Sequence, residues 1–287
     1  MTALPLTRTY QDAQGVEITM FEWPVAEPRA IVQLVHGLGE HTRRYDHVAA
    51  ALNRAGFSVY SDDHRGHGAT GQSMIMAGIT AKLGPLGPGG MVATMAEVHQ
   101  LTELIRAENP AAPIVLFGHS LGAMMAQRLI NKYPTEYFGA ILSGSTLLLP
   151  GVVPSDGFNK RWANTPGGSG KEWLSSDERV GHAFMNDPLC FPDSAAKAFG
   201  LVNASKVLGL PSKKLPSDMP ILIFAGSEDP LGAERGNKML LNAYRRAGVR
   251  DVTLMIYEGM RHETLNEKEG EGVIDDVIAW INQSLEI

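Results

Sequence analysis

Cysteine is nearly absent from this sequence. Cys190 is the only one in 287 residues, so no internal disulfide can form and a zinc centre would have to draw on other ligands. A basic excess is also missing: 25 Lys and Arg stand against 31 Asp and Glu, a net charge of −6. That balance argues against nucleic acid or an anionic membrane as the main partner, because both select basic surfaces. No uninterrupted apolar run is long enough to cross a bilayer. The stretch from Met1 to Gly15 lacks the basic-then-apolar order of a signal peptide, and the default expectation is a cytoplasmic, reducing setting.

What is present is ordinary for a soluble globular protein: 44% apolar and 20% charged residues, over a length that suits one large α/β domain, possibly with an insertion. The first segments read as a hairpin. Val16, Ile18 and Met20 alternate with polar neighbours, and residues 12–15 supply turn chemistry after 6–10. Short apolar runs then recur at 30–35, 57–60, 114–117, 140–142, 221–224 and 252–256, as strands buried on both faces do. Helical stripes separate them. Tyr45, Val48, Ala49 and Leu52 form one, Met91, Met95, Val98 and Ile105 a second, Leu121, Met125 and Leu129 a third, and Ile274, Val277, Ile278 and Ile281 the last. Strands alternating with helices predict an α/β fold, a mostly parallel sheet with helices on both faces.

Two stretches interrupt this rhythm. Residues 84–90 are rich in Gly and Pro and read as a loop. Residues 147–216 show no clean strand period, yet hold Phe158, Trp162, Trp173, Phe184, Phe191 and Phe199. Linkers are poor in aromatics, so the expected organisation is a core at 1–146 and 217–287 with a cap inserted at 147–216. Such a cap could roof a pocket for an apolar substrate.

Gly118-His119-Ser120-Leu121-Gly122 fits G-x-S-x-G, directly after one apolar run and directly before a helical stripe. That is the strand–elbow–helix context in which a sharp turn lifts a nucleophilic serine above a strand end. Flanking glycines are expected because a Cβ would collide in so tight a bend. A serine nucleophile needs a base, and the base an orienting carboxylate. In chain order, Asp229 follows the run at 221–224 and His262 follows the run at 252–256. Glu228 is the rival carboxylate, and His119 is expected to point away around the elbow. The expected oxyanion donors are the backbone N–H groups of Leu121 and of Leu38, the latter in the glycine turn His36-Gly37-Leu38-Gly39. The group His36, Glu40 and His41 and the group Asp62, Asp63, His64 and His67 read as loop scaffolding rather than metal ligands, since neither has the spacing of a zinc site. No metal, cofactor or nucleotide is predicted.

These segments carry a family resemblance over nearly the whole chain. His36-Gly37-Leu38-Gly39-Glu40-His41 with Arg44-Tyr45, Asp63-His64-Arg65-Gly66-His67-Gly68, the elbow, Gly226-Ser227-Glu228-Asp229-Pro230 and Arg261-His262-Glu263-Thr264-Leu265-Asn266-Glu267 are its signatures. The sequence resembles the monoacylglycerol lipase and lysophospholipase-like branch of the α/β-hydrolases, also grouped with the serine aminopeptidases (S33). Asp187-Pro188-Leu189 is similar to a further family element, whereas residues 84–90 are richer in glycine than the family pattern. The resemblance implies Ser120, Asp229 and His262 as a triad, with Leu38 and Leu121 as oxyanion donors. It implies a serine hydrolase acting on a small ester or lipid, with transient membrane contact through the cap as an option. The rival readings are an amide or peptide hydrolase and a hydrolase fold used only for binding.

Overall fold

Alternation at the start of the chain produces an antiparallel hairpin, β1 (Leu6–Gln11) and β2 (Glu17–Trp23). Its turn is closed by Asp12, whose Oδ1 accepts from the N–H groups of Gln14 at 2.8 Å and Val16 at 2.9 Å. The computed structural model describes residues 4–149 and 157–286, so residues 150–156 of the expected insertion lie outside the described residues. Six further strands follow: β3 (Ala30–Val35), β4 (Phe57–Asp62), β5 (Ile114–His119), β6 (Gly139–Ser143), β7 (Ile221–Gly226) and β8 (Val252–Tyr257). The spatial order is β1-β2-β4-β3-β5-β6-β7-β8, with β1, β2 and β4 paired antiparallel and the rest parallel. Every residue of β3, β4, β5, β6 and β7 is buried, which is why these strands read as apolar runs rather than as alternations.

The helices are α1 (Asp46–Arg54), α2 (Gly68–Met76), α3 (Gly90–Glu108), α4 (Leu121–Lys132), α5 (Glu178–Asn186), α6 (Ala195–Ser205), α7 (Ala233–Ala247) and α8 (Gly270–Leu285). On one face of the sheet, Val98 and Ile105 of α3, Leu129 of α4, and Leu240 and Tyr244 of α7 join one core. On the other, Val48 and Leu52 of α1 pack with Val277 and Ile281 of α8. The segment between β6 and β7 contributes α5 and α6 and, among its described residues, no strand. Gly200, at φ 85° and ψ 157°, breaks α6 in its middle. Among the described residues no helix is long and apolar enough to cross a membrane.

The loop before α3 is held from below. Arg65 is wholly buried, pairs with Asp12 and with Glu97 at 3.1 Å, and donates to the carbonyls of Leu86 and Pro88. It thus ties the glycine-rich loop to the hairpin turn. Replacing it strands buried carboxylates without a cation, a change that costs about 3–5 kcal/mol. Arg65→Met is therefore expected to lower stability by about that amount. Denaturant titration of the variant against the parent protein checks this.

Candidate active site

Strand β5 ends at His119, the chain turns at Ser120, and α4 starts at Leu121. Ser120 sits at φ 53° and ψ −117°, a conformation that costs a non-glycine residue about 1–3 kcal/mol. The turn survives because its neighbours hold it: Ser120 N–H donates to the Ser143 carbonyl at 3.0 Å, and the Ser120 carbonyl accepts from Met124 N–H at 3.0 Å. The flanking glycines are required by close approach. A Cβ on Gly118 would lie 2.6 Å from Ala123 Cα, and one on Gly122 would collide with the carbonyls of Val35 and His36.

His262 and Asp229 meet beside this turn. Nδ1 of His262 lies 3.0 Å from both Asp229 oxygens, and both residues are buried. Glu228, the rival carboxylate, faces away and accepts from exposed Arg161 at 2.7 Å. Burial pulls the His262 pKa down, but the Asp229 charge and hydrogen bond outweigh it, and the net value lies above the ordinary histidine range. Nε2 of His262 is buried without a hydrogen-bond partner among the described residues, while Ser120 and His262 line one cavity. The bond between Ser120 and Nε2 is thus not closed here, and catalytic hydrogen bonds of this kind commonly tighten only with substrate.

The expected oxyanion loop is fixed from both sides. His36 Nδ1 holds the Gly37 carbonyl at 2.8 Å, its Nε2 accepts from His64 N–H at 3.0 Å, and the two rings stack at 3.9 Å. Glu40 Oε1 accepts from Gly37 N–H at 2.6 Å and from the Tyr45 hydroxyl at 2.7 Å. In a trans peptide the Leu38 N–H points opposite to the Gly37 carbonyl, so securing that carbonyl also aims the amide. Neither Leu38 N–H nor Leu121 N–H has a backbone partner among the described residues, and both residues line the cavity with Ser120.

Two expectations about side chains need correction. His119 does not point away: its ring centroid is 4.8 Å from that of His262, and it lines the same cavity. Strand β5 extends through His119 opposite Ser143, whose Oγ is 3.1 Å from Nδ1, so the ring stays over the site. Burial drives its pKa down to about 3, and it stands there as a neutral spacer. Of the six aromatics expected to roof a pocket, Phe158, Trp173, Phe184, Phe191 and Phe199 line the cavity, but Trp162 instead takes the Arg261 guanidinium at 4.5 Å.

Arg44 and Glu263 carried no individual role in the sequence reading, and Trp173 stood there only as one of the cap aromatics. Arg44 bridges Glu40 at 2.6 Å and Glu263 at 2.8 Å, joining the expected oxyanion loop to the residue after His262. Burial opposes ionisation of Glu263, but Arg44 more than offsets it and takes the pKa to about 2. Trp173 packs its ring 4.7 Å from the His262 ring, and its carbonyl accepts from His262 N–H at 3.3 Å. Arg44 and Glu263 stood inside recognised motifs, whereas a contact such as that of Trp173 leaves no mark in spacing. Among the described residues, His41, Asp187 and Cys190 are the group whose ligand-type atoms lie close enough to share an ion, within 4.8 Å. Here His41 Nε2 and Asp187 form a pair at 2.9 Å that joins the expected oxyanion loop to the segment after α5.

The cavity over Ser120 has a volume of about 890 Å³, enough for a small lipid. Sheet order, elbow and histidine loop together define the α/β-hydrolase fold. Residues 26–269 match the family model described as serine aminopeptidase, S33, and the chain belongs to that family. It is 30% identical to the monoacylglycerol lipase of Mycolicibacterium smegmatis, over 93% of each chain. It is 26% identical to the monoglyceride lipase of Mus musculus, over 98% of this chain and 94% of that one. A solved carboxyl esterase from Bacillus coagulans, in complex with glycerol, superposes with a TM-score of 0.85 at 27% identity, covering 99% of this chain and 100% of that one.

Proposed function

We propose that the protein hydrolyses carboxylic esters through an acyl-enzyme on Ser120. The observation that carries this reading is His262, held by Asp229 on one nitrogen with the other unpartnered, lining the same cavity as Ser120. His262 takes the Ser120 proton as the hydroxyl attacks the carbonyl, and the amides of Leu38 and Leu121 hold the oxyanion. His262 then protonates the leaving alcohol and activates water against the acyl-enzyme, while Asp229 fixes its tautomer. This route needs no metal or cofactor.

Residues 147–216 act as the cap. Its aromatics, with Leu121, Met124 and Leu231 of the core, give an apolar surface suited to an acyl chain. Relatives named as monoacylglycerol lipases and a neighbour named as a carboxyl esterase favour single-chain glycerol esters or small esters over amides. Leu201 and Val202 of α6 are 71% and 73% exposed, and Leu201 also lines the cavity. These residues suit brief contact with a lipid surface from which substrate enters. The test is hydrolysis of p-nitrophenyl esters and monoacylglycerols of graded chain length. Medium or long chains are expected to give the higher kcat/KM, and no turnover of any ester would overturn the reading.

A further inference from the structure

The segment that carries His262 reaches Glu267 through a short 3₁₀ turn, Thr264–Asn266, and Glu267 has no part in the chemistry above. Its carboxylate is buried, and burying a carboxylate is costly unless its oxygens are hydrogen-bonded. Oε1 accepts from Arg261 N–H at 2.8 Å and from Ser176 N–H at 3.0 Å. Oε2 accepts from the hydroxyls of Ser175 at 2.9 Å and Ser176 at 2.5 Å, and shares the Ser176 N–H at 3.0 Å. None of these donors is charged. A single oxygen therefore joins the residue before His262 to the cap.

The rest of the histidine loop meets the same cap segment. His262 N–H donates to the Trp173 carbonyl at 3.3 Å, and Glu263 N–H to the Leu174 carbonyl at 2.7 Å. Arg261 Nη1 donates to the carbonyls of Glu172 at 2.7 Å and Ser175 at 3.0 Å. On the other side, Glu228 N–H donates to the Met260 carbonyl at 2.9 Å, which fixes the loop against the strand end that carries Asp229. The His262 ring itself is bonded only at Nδ1, to Asp229, and packs under Trp173. Where that ring stands is thus set by the backbone on each side of it, and Glu267 closes that backbone into a loop.

We propose that Glu267 is the positioning residue of His262: it closes residues 261–267 on themselves, clamps them to Ser175 and Ser176 of the cap, and so keeps the imidazole on Asp229. What matters is reach to both segments rather than charge. This inference rests on the ester-hydrolase reading, in which His262 is the base, and adds a residue that acts only through it. A displacement of about 1 Å in a catalytic group can cost on the order of 10²-fold in rate.

The test joins hydrolysis of p-nitrophenyl butyrate with proton NMR in water. The Nδ1–H of His262 held by Asp229 gives a low-field resonance, assigned by its loss in Asp229→Asn. Glu267→Ala and Glu267→Asp are expected to lower kcat about 10²-fold, keep KM within about threefold, and shift or broaden that resonance. Glu267→Gln keeps one oxygen for both backbone donors, and the serine hydroxyls can turn to accept from its amide, so kcat and resonance should stay near those of the wild type. If the alanine variant folds poorly, the aspartate variant, which keeps the charge and loses the reach, decides the matter. A kcat within about threefold of wild type in the folded alanine or aspartate variant would overturn the inference. So would a fall in kcat with the resonance unmoved, or a loss in the glutamine variant as large as in the alanine one. A resonance that depends on Glu267 in a protein that turns over no ester would refute the chemistry and leave the positioning role standing.

Discussion

Ser120→Ala should reduce kcat/KM for p-nitrophenyl butyrate by at least about 10⁴-fold, and should abolish labelling by a fluorophosphonate probe. The argument is chemical before it is structural. In the proposed route the serine oxygen forms the acyl bond, and no neighbouring side chain on this elbow can replace it: His119 is held neutral by burial, and Leu121 offers only an amide. The fold should not notice the change. Ser120 is held by its backbone bonds to Ser143 and Met124, and the substitution keeps both and keeps Cβ. A melting temperature within about 2 °C of the parent protein is expected, since the change removes only a half-exposed hydroxyl. Activity that persists in the folded variant would remove Ser120 from the mechanism.

The central strands were legible because burial on both faces erases alternation and leaves compact apolar runs. Residues 30–35 match β3 end to end, and the other runs fall inside their strands. Helices were legible where the buried stripe is made of large apolar residues. Helix α7 was not, because its buried face is Gly236, Asn237, Leu240 and Tyr244, and the first two give no hydrophobic signal. Helix α2 was hidden differently: it opens at Gly68 and carries Gly71, where a Cβ would meet the Leu83 side chain at 2.6 Å. Both cases show packing overriding local propensity.

At the site, sequence order pointed to Ser120, Asp229 and His262; the structure pairs His262 with Asp229 and places His262 and Ser120 on one cavity. The Arg44 bridge between Glu40 and Glu263 spans 219 residues on one side, a pairing that no local pattern encodes. The same limit applies to His119. Its orientation depends on β5 continuing two pairs further against β6, which the apolar run at 114–117 did not show. The insertion was recognisable as aromatic, but which ring faces the cavity depends on partners such as Arg261 far along the chain.

Asp229→Asn, set against Glu228→Gln, should separate two neighbouring carboxylates by orders of magnitude. For Asp229→Asn we expect a loss of about 10³–10⁴ in kcat, because an amide can donate to Nδ1 and stabilise the imidazole tautomer that cannot accept the serine proton. For Glu228→Gln the loss should stay within about threefold, since its partner Arg161 is exposed and the pair lies outside the chemistry. The pH profile adds a second readout. The proposed route needs His262 neutral, so kcat/KM should rise with pH through its pKa, which stands above the ordinary 6.5 chiefly through Asp229 once burial is overcome. Removing that charge should move the acid limb to lower pH, and Glu228→Gln should leave it in place. Stability follows the same pair with the opposite trend. A histidine whose folded pKa is raised gives stabilisation that is complete below about pH 6.5 and is lost as pH rises through the folded value. The Asp229→Asn variant should therefore lose more stability at pH 5.5 than at a pH above that folded value, where His262 is neutral in both proteins. Equal losses at the two pH values, or comparable kinetic defects in the two variants, would show that Asp229 does not orient this histidine.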